Sequence, residues 1–328
     1  MKFLKTYFAF TALLSLTVAV QPAWAQAPAT PPAPQTVVQK VRAAIAEDDF
    51  AKGEKIVLDD LAEKGTTAES ILALSWLGRG AVAAKRYEEA QGYAMRTYTM
   101  VEEALKTRGL DDEANLPLAL GASIEVQALA LAGQGGRSEA VLFLRRELDT
   151  YKGTSIVERL NKNVNVLSLE GTPAIPLGRG DEAGSPTPTL QALRGKPVML
   201  YLWAHWCGDC KIQGPILETL MNKYKDTGLT LVSPTKLYGY VAQRKTAGAE
   251  EEMAYIGETL EKFYPWMKGM PIPVSAQIFE EYGVSTTPTL VLIDRAGNVS
   301  KYNPGRLTAE ELEPLIQAIA APMSSAKR

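Results

Sequence analysis

The chain has only two cysteines, Cys207 and Cys210, and one histidine, His205, among 328 residues. So few cysteines exclude a disulfide-stapled scaffold. They also exclude a four-ligand Cys/His zinc site, because nothing elsewhere completes the set; no metal is expected. Basic charge is not in excess either, with 35 Lys and Arg against 37 Asp and Glu, a formal net charge of −2. Nothing electrostatic therefore points to nucleic acid or an anionic membrane, and no nucleic-acid partner is expected. Long apolar runs are equally scarce. One, Phe8–Val20, follows Lys2 and Lys5 and precedes Ala23-Trp24-Ala25, which has the small-x-small form of a cleavage site. Such a run is short for a bilayer span, so residues 1–25 read as a secretory signal, an uncleaved N-terminal anchor being the alternative. Without Lys2 and Lys5 the balance is 33 basic against 37 acidic residues, or −4. No cysteine follows the cut to carry a lipid, and no later stretch reads as long and apolar enough to span.

What remains is long enough for two cores. Residues 26–36, with Pro28, Pro31, Pro32 and Pro34, read as an extended spacer. Residues 37–161 read as helix throughout, with Val37, Val41 and Ile45 four apart and breakers at Lys64-Gly65-Thr66, Arg108-Gly109 and Gly133–Gly136. Three short linkers align: Ala46–Gly53, Ala83–Ala90 and Gly133–Ala140. In each, a helix ends, a turn follows, and a small residue lets the next helix pack closely. The pattern resembles degenerate tetratricopeptide hairpins, which implies a surface for protein binding or self-association; a plain bundle is the alternative.

The second half is built around Trp206-Cys207-Gly208-Asp209-Cys210. Val198–Trp203 ahead of it is a continuous apolar run, a strand buried on both faces. A helix follows over Cys210–Tyr224, with Ile212, Ile216, Leu217, Leu220 and Met221 on one side. Cys207 thus stands at a helix N-terminus, where free N–H groups and the helix dipole favour a thiolate. Cys210 is one turn further in, placed to attack a mixed disulfide on Cys207. A structural disulfide is the bland alternative, but so small a loop constrains the unfolded chain little.

With Thr287-Pro288-Thr289 downstream, this stretch resembles the thioredoxin superfamily. Gly195-Lys196-Pro197 and Pro215 resemble its extracytoplasmic TlpA/ResA-like branch. The resemblance covers about half the chain, and implies an α/β thioredoxin fold over 162–322, a central mixed sheet flanked by helices, preceded by the all-α helical-hairpin domain. It implies a thiol-disulfide oxidoreductase, a reductase in preference to an oxidase, working outside the cytoplasm; with the secretory signal, the expected place is the periplasm, across the inner membrane. No cofactor is expected beyond the Cys207–Cys210 disulfide. Protein thiols or disulfides would be substrates and a thiol-disulfide donor would supply electrons. A helical-repeat binding or dimerisation scaffold with an oxidase- or isomerase-like or vestigial redox half is the competing class; a peroxiredoxin is disfavoured, because Ala204 stands where a Ser or Thr would be needed.

Around the cysteines the resemblance implies a cis Thr287–Pro288 bond packed against the pair, leaving the Thr287 backbone free to pair with substrate. Trp206 is expected to cover the sulfurs or simply to pack. His205, at a strand end, is expected to be exposed, the alternative being a thiolate-stabilising role. Three positions depart from the family: Tyr201 replaces thioredoxin's buried carboxylate, Gln213 replaces a Glu, and Asp209 stands between the cysteines. Gln213 cannot take a proton. Asp209 opposes thiolate formation at Cys207 or accepts the proton of Cys210.

Elsewhere, Asn161–Asn163 reads as the joint between halves, Val164–Leu169 as an edge strand and Gly171–Thr189 as a loop. Leu229–Ser233 reads as a second buried strand and 234–249 as an exposed loop. A helix over Glu250–Tyr264 supplies a crossover between parallel strands. Thr289–Asp294 is the next strand, Thr308–Glu311 a capping box, and 323–328 a polar tail.

Overall fold

A computed structural model describes residues 35–178 and 180–321. The proposed signal, most of the Pro-rich spacer and the polar tail lie outside the described residues.

Seven helices come first: α1 Val37–Ala46, α2 Phe50–Lys64, α3 Ala68–Ala83, α4 Tyr87–Leu105, α5 Asn115–Gly133, α6 Arg137–Thr150 and α7 Val157–Ser168. The three aligned linkers fall at the α1/α2, α3/α4 and α5/α6 turns and share one geometry. Their middle residues, Asp48, Lys85 and Gly135, all have positive φ (57°, 59° and 97°). Asp49, Arg86 and Gly136 each donate a backbone N–H to the carbonyl five residues back, on Ala44, Ala81 and Leu131. That six-to-one bond closes a Schellman-type helix end. The small residue that follows each turn is packed: Ala90 and Ala140 are fully buried, and a Cβ on Gly53 would stand 2.8 Å from Leu77.

α5 corrects one expectation. It is 19 residues long and apolar enough to cross a membrane by length and composition. Its Leu116, Leu120, Ile124 and Ala128 are nevertheless buried, and it packs against α3, α4, α6 and α7 as the central helix of the bundle. A helix apolar on all sides needs cover on all sides.

α7 corrects another. Val164–Leu169 is not an edge strand: helix runs unbroken from Val157 to Ser168, through the expected joint at 161–163. Val164-Asn165-Val166 and Leu167-Ser168-Leu169 each alternate as in a strand, but the phase slips between the two triplets. The buried positions Leu160, Asn163 and Leu167 instead follow a helical spacing of three and four. Asn161 and Asn165 donate side-chain N–H groups to the carbonyls of Glu280 and Glu281, at 3.2 and 3.1 Å, tying α7 to the second half.

That half contains β1 Asp181–Glu182, β2 Val198–Leu202, α8 Gly208–Lys223, β3 Thr230–Val232, α9 Ala249–Phe263, β4 Pro273–Val274, α10 Ala276–Glu281, β5 Thr289–Ile293, β6 Val299–Pro304 and α11 Ala309–Ala320. The main sheet has the order β3-β2-β5-β6, and β1 pairs antiparallel with β4 inside the stretch read as a loop. β2 and β3 are parallel, joined through α8; β5 runs antiparallel to both β2 and β6. α8 is the crossover between β2 and β3, and α9, as expected, is a second one: it leads to β4, whose Val274 bridges Thr235, just beyond β3, in parallel. One face of the sheet, with Met199, Tyr201 and Trp203, is covered by α8, α9 and α11. The other, with Val198, Leu200 and Leu202, meets Ile278, Phe279 and Tyr282 of α10 and its end. Thr308 and Glu311 form the capping box of α11.

Candidate active site

β2 is buried along its whole length, and Trp203, Ala204 and His205 continue the run in the interior. The chain then surfaces at Trp206, 47% exposed, and Cys207 becomes the N-cap of α8. Cys207 and Cys210 are joined as a disulfide. The Cys210 N–H donates to Cys207 Sγ at 3.0 Å, so one of the helix's unpaired donors is aimed at the first sulfur. Cys207 keeps 3% of its surface and Cys210 none, which decides the sulfur a partner reaches first. On the far side the Thr287–Pro288 bond is cis, and the Thr287 carbonyl oxygen lies 3.4 Å from Cys207 Sγ.

Beneath the pair, Tyr201 donates its hydroxyl to the Cys210 carbonyl at 2.8 Å. Burial pushes the Tyr201 phenol up, so it is a neutral donor and not a proton acceptor. Tyr264 lies against Gly214 and stands 5.2 Å from the Trp203 ring; burial pushes it up to about 12. Gln213 is fully buried, its Oε1 accepting from Leu307 N at 2.9 Å, while its Nε2 has no partner. Asp209 faces outward, its Oδ1 3.2 Å from Arg306 Nε. The Arg306–Leu307 segment thus holds two of the three departures from the family pattern, Asp209 by a side chain and Gln213 by its backbone.

His205 contradicts the expectation of exposure. It is fully buried, with Nε2 2.9 Å from Glu252 Oε1 and Nδ1 unpartnered. Glu252 also accepts the backbone N–H groups of Tyr238 at 2.6 Å and Gly239 at 2.7 Å. Tyr238, Tyr240 and Tyr255 stand edge-on around the imidazole, with centroids 5.7, 5.7 and 5.3 Å away. Burial pushes His205 below its ordinary value, opposed by its hydrogen bond and charge attraction to Glu252. A neutral imidazole held this way positions the turn before Trp206. Segment 234–249 is correspondingly not all solvated: Pro234 and Thr235 are buried, and Thr235 Oγ1 donates to the Trp203 carbonyl at 2.9 Å. Tyr238 also meets Trp206 edge-on at 5.4 Å, so Trp206 packs on Tyr238 beside the disulfide.

Residues 189–320 match the thioredoxin-like domain family. A thiol-disulfide oxidoreductase ResA of Bacillus cereus is 30% identical over 130 residues, which cover 40% of this chain and 67% of that protein. The chain belongs to the thioredoxin-like thiol-disulfide oxidoreductases. ResA of Oceanobacillus iheyensis is 26% identical over 140 residues, 43% of this chain and 66% of that one. Among solved structures, a thiol:disulfide interchange protein DsbE of Chlorobium tepidum is 26% identical, with 46% of this chain and 98% of that one covered and a TM-score of 0.37.

In this oxidoreductase, Cys207, Cys210, Thr287 and Pro288 converge, Trp206 flanks them, and Gln213 lies one turn beyond Cys210. Glu252, Tyr238 and Arg306 join the site although none is among the residues expected there. Glu252 carried a signal: with Ile256 and Thr259 it forms the buried i, i+4, i+7 face of α9, whereas Glu250 and Glu251 do not. Arg306 carried none, because nothing local links it to a residue 97 positions earlier.

Proposed function

We propose that this protein is an extracytoplasmic reductase of protein disulfides. The placement of Cys207 carries the reading: a helix N-cap with one backbone donor on its sulfur, the less buried of the two sulfurs, beside the Thr287 carbonyl. A thiol-disulfide donor first reduces Cys207–Cys210 with two electrons and two protons. The Cys207 thiolate then attacks one sulfur of the partner disulfide, forming a mixed disulfide and releasing the other sulfur as a thiolate. Cys210, deprotonated, attacks Cys207 Sγ, which frees the second partner sulfur and restores the Cys207–Cys210 disulfide. The partner segment lies extended along Thr287, in the manner of an added strand. No cofactor beyond the disulfide enters these steps.

The three positions that depart from the family offer the proton of Cys210 no buried carboxylate. Tyr201 and Gln213 do not accept it, and Asp209 is turned to solvent against Arg306. Water entering once the mixed disulfide opens the pair is the acceptor in this reading. Lys2, Lys5, Phe8–Val20 and Ala23–Ala25 support export.

Equilibration of the pair in thiol/disulfide buffers tests the direction. A potential on the order of −270 mV fits a reductase, and one above about −150 mV makes the protein an oxidant. In Cys210→Ser the partner should accumulate as a mixed disulfide on Cys207; a scaffold with an idle redox half would accumulate none.

A further inference from the structure

A cleft of about 790 Å³ opens between α3, α5, α7 and the segment that leads into Pro288. Arg79, Glu125, Arg159 and Lys162 line its helical walls, and Ser285 and Thr286 its other side. Cationic charge is in excess there. Glu125 is shared between two cations, accepting from Arg159 Nε at 2.8 Å and from Lys162 Nζ at 2.9 Å, and also accepts from Asn163 Nδ2 at 3.4 Å. Glu158, also on the wall, is paired with Lys236. Arg79 forms no ion pair among the described residues; it stands 4.5 Å over the Trp76 ring, which Arg42 also approaches at 4.4 Å. Burial, then Arg159, push Arg79 down to about 10, against the pull of Glu125. It remains charged at neutral pH, and the one carboxylate of the cleft that attracts it, Glu125, is hydrogen-bonded to Arg159 and Lys162 instead.

The second wall gives this charge a context. Thr286 precedes Thr287, whose carbonyl touches the Cys207 sulfur at 3.4 Å. A polypeptide laid along Thr287 therefore passes the mouth of the cleft. An extended chain advances about 3.3 Å per residue, so a side chain two to four positions from the reacting cysteine reaches roughly 7–13 Å along it.

We propose that the cleft binds an acidic side chain of the partner polypeptide, so that Arg79, Arg159 and Lys162 of the helical half select the substrate presented to Cys207. This rests on the disulfide-exchange reading above and extends it to a substrate class: disulfides flanked by Asp or Glu. Arginine suits the task, because its planar fork takes a carboxylate through two parallel hydrogen bonds.

The test separates the cleft from the chemistry. Fluorescein-labelled peptides carry Ser in place of the reacting Cys and differ only by Glu or Gln two to four residues from it, on either side. Their affinity for the oxidised full chain is read by anisotropy. Wild type should hold the best Glu peptide roughly tenfold tighter than its Gln twin, the strength of a charge-assisted pair. The difference should shrink between about 20 mM and 0.5 M salt. Arg79→Gln should bring the twins within about twofold, and Arg79→Lys should keep part of the preference. Equal affinities in wild type overturn the proposal, whatever the variants do. So does displacement of the Glu peptide by free glutamate at its own concentration, which would mark a small-carboxylate site. With Cys restored in the peptides as a disulfide, and the full chain first reduced by a small dithiol that is then removed, preference without exchange would sink the redox reading alone, and exchange without preference the cleft alone.

Discussion

Gly283 packs directly against the backbone of α7. Its φ is +62°, and a Cβ there would fall on Lys162 N, 2.5 Å from Asn161 C and 2.6 Å from Lys162 Cα, all backbone atoms of α7. Gly283→Ala therefore meets two obstacles. The left-handed conformation costs an alanine about 1–2 kcal/mol. The clash is with helix backbone and not with the end of a flexible side chain, and overpacking of that kind costs about 1–3 kcal/mol more. Relief means moving α7 off the segment that runs through Val284 to Pro288, and that movement would also break the Asn161 and Asn165 bonds to Glu280 and Glu281. The expected total is about 2–5 kcal/mol, or on the order of 5–15 °C in the unfolding midpoint of a protein this large. Gly228→Ala is the control, because Gly228 has φ +78° with nothing within 4 Å of the added Cβ. It meets the conformational cost without the clash. Urea unfolding followed by circular dichroism compares them. If Gly283→Ala loses no more stability than Gly228→Ala, the close contact of α7 with this segment is not as described.

Glu125 is held down to about 2: burial alone would raise it, but the charges and hydrogen bonds of Lys162 and Arg159 outweigh burial. A depressed carboxylate stabilises the fold above its ordinary 4.5 and loses that contribution as pH falls toward 2. Acid titration of unfolding free energy should show up to about 3 kcal/mol lost over that window, absent in Glu125→Gln. Asp209→Asn should shift the pH profile of Cys207 alkylation to lower pH by a few tenths of a unit, a small effect because Asp209 is exposed and paired with Arg306; an unchanged profile would remove Asp209 from the account of Cys207. Glu252→Gln leaves one of the Tyr238 and Gly239 N–H groups without its acceptor, and should cost about 1.5–3 kcal/mol by chemical unfolding. Gln213→Glu places a carboxyl one turn from Cys210, and should speed release of the partner from the mixed disulfide above the pKa of that carboxyl; a rate without change would show that the resolving thiol needs no neighbouring base.

The second half was legible where local chemistry dominates. An unbroken apolar run made β2, a cysteine at the next turn made an N-cap, and Thr308 with Glu311 made a capping box. The three helix-ending turns were legible for the same reason, since each closes within six residues. What failed was periodicity over short stretches. Val164–Leu169 alternates only within each half, six residues cannot separate a strand from the tail of a helix, and the helical bonds extending from Val157 decide it. His205 failed differently. A polar residue at a strand end is exposed unless something distant buries it, and here Glu252, 47 positions on, accepts its hydrogen bond. Neither residue implies the other locally.

That buried pair bears on how the helices influence the redox centre. A chain of contacts runs from Glu158 on α7 to Lys236, whose Nζ stands 5.5 Å over the Tyr238 ring, and from Tyr238 to Trp206 beside Cys207. Spatial continuity of this kind is not coupling; coupling requires an element with two arrangements that both ends bias. Tyr238 offers no such element. Its backbone N–H is bound to Glu252, its ring is packed against His205, Trp206 and Phe279, and Glu252 is in turn fastened to Gly239 and His205. A residue held at backbone and ring together has little freedom to relay a signal. The path is better suited to holding Trp206 and the cleft wall in one fixed relation, so that a carboxylate bound at Arg79 and a disulfide presented to Cys207 are met by a preorganised surface. Selectivity built that way should appear in the affinity of the partner and leave the potential of the Cys207–Cys210 pair unchanged by peptide binding.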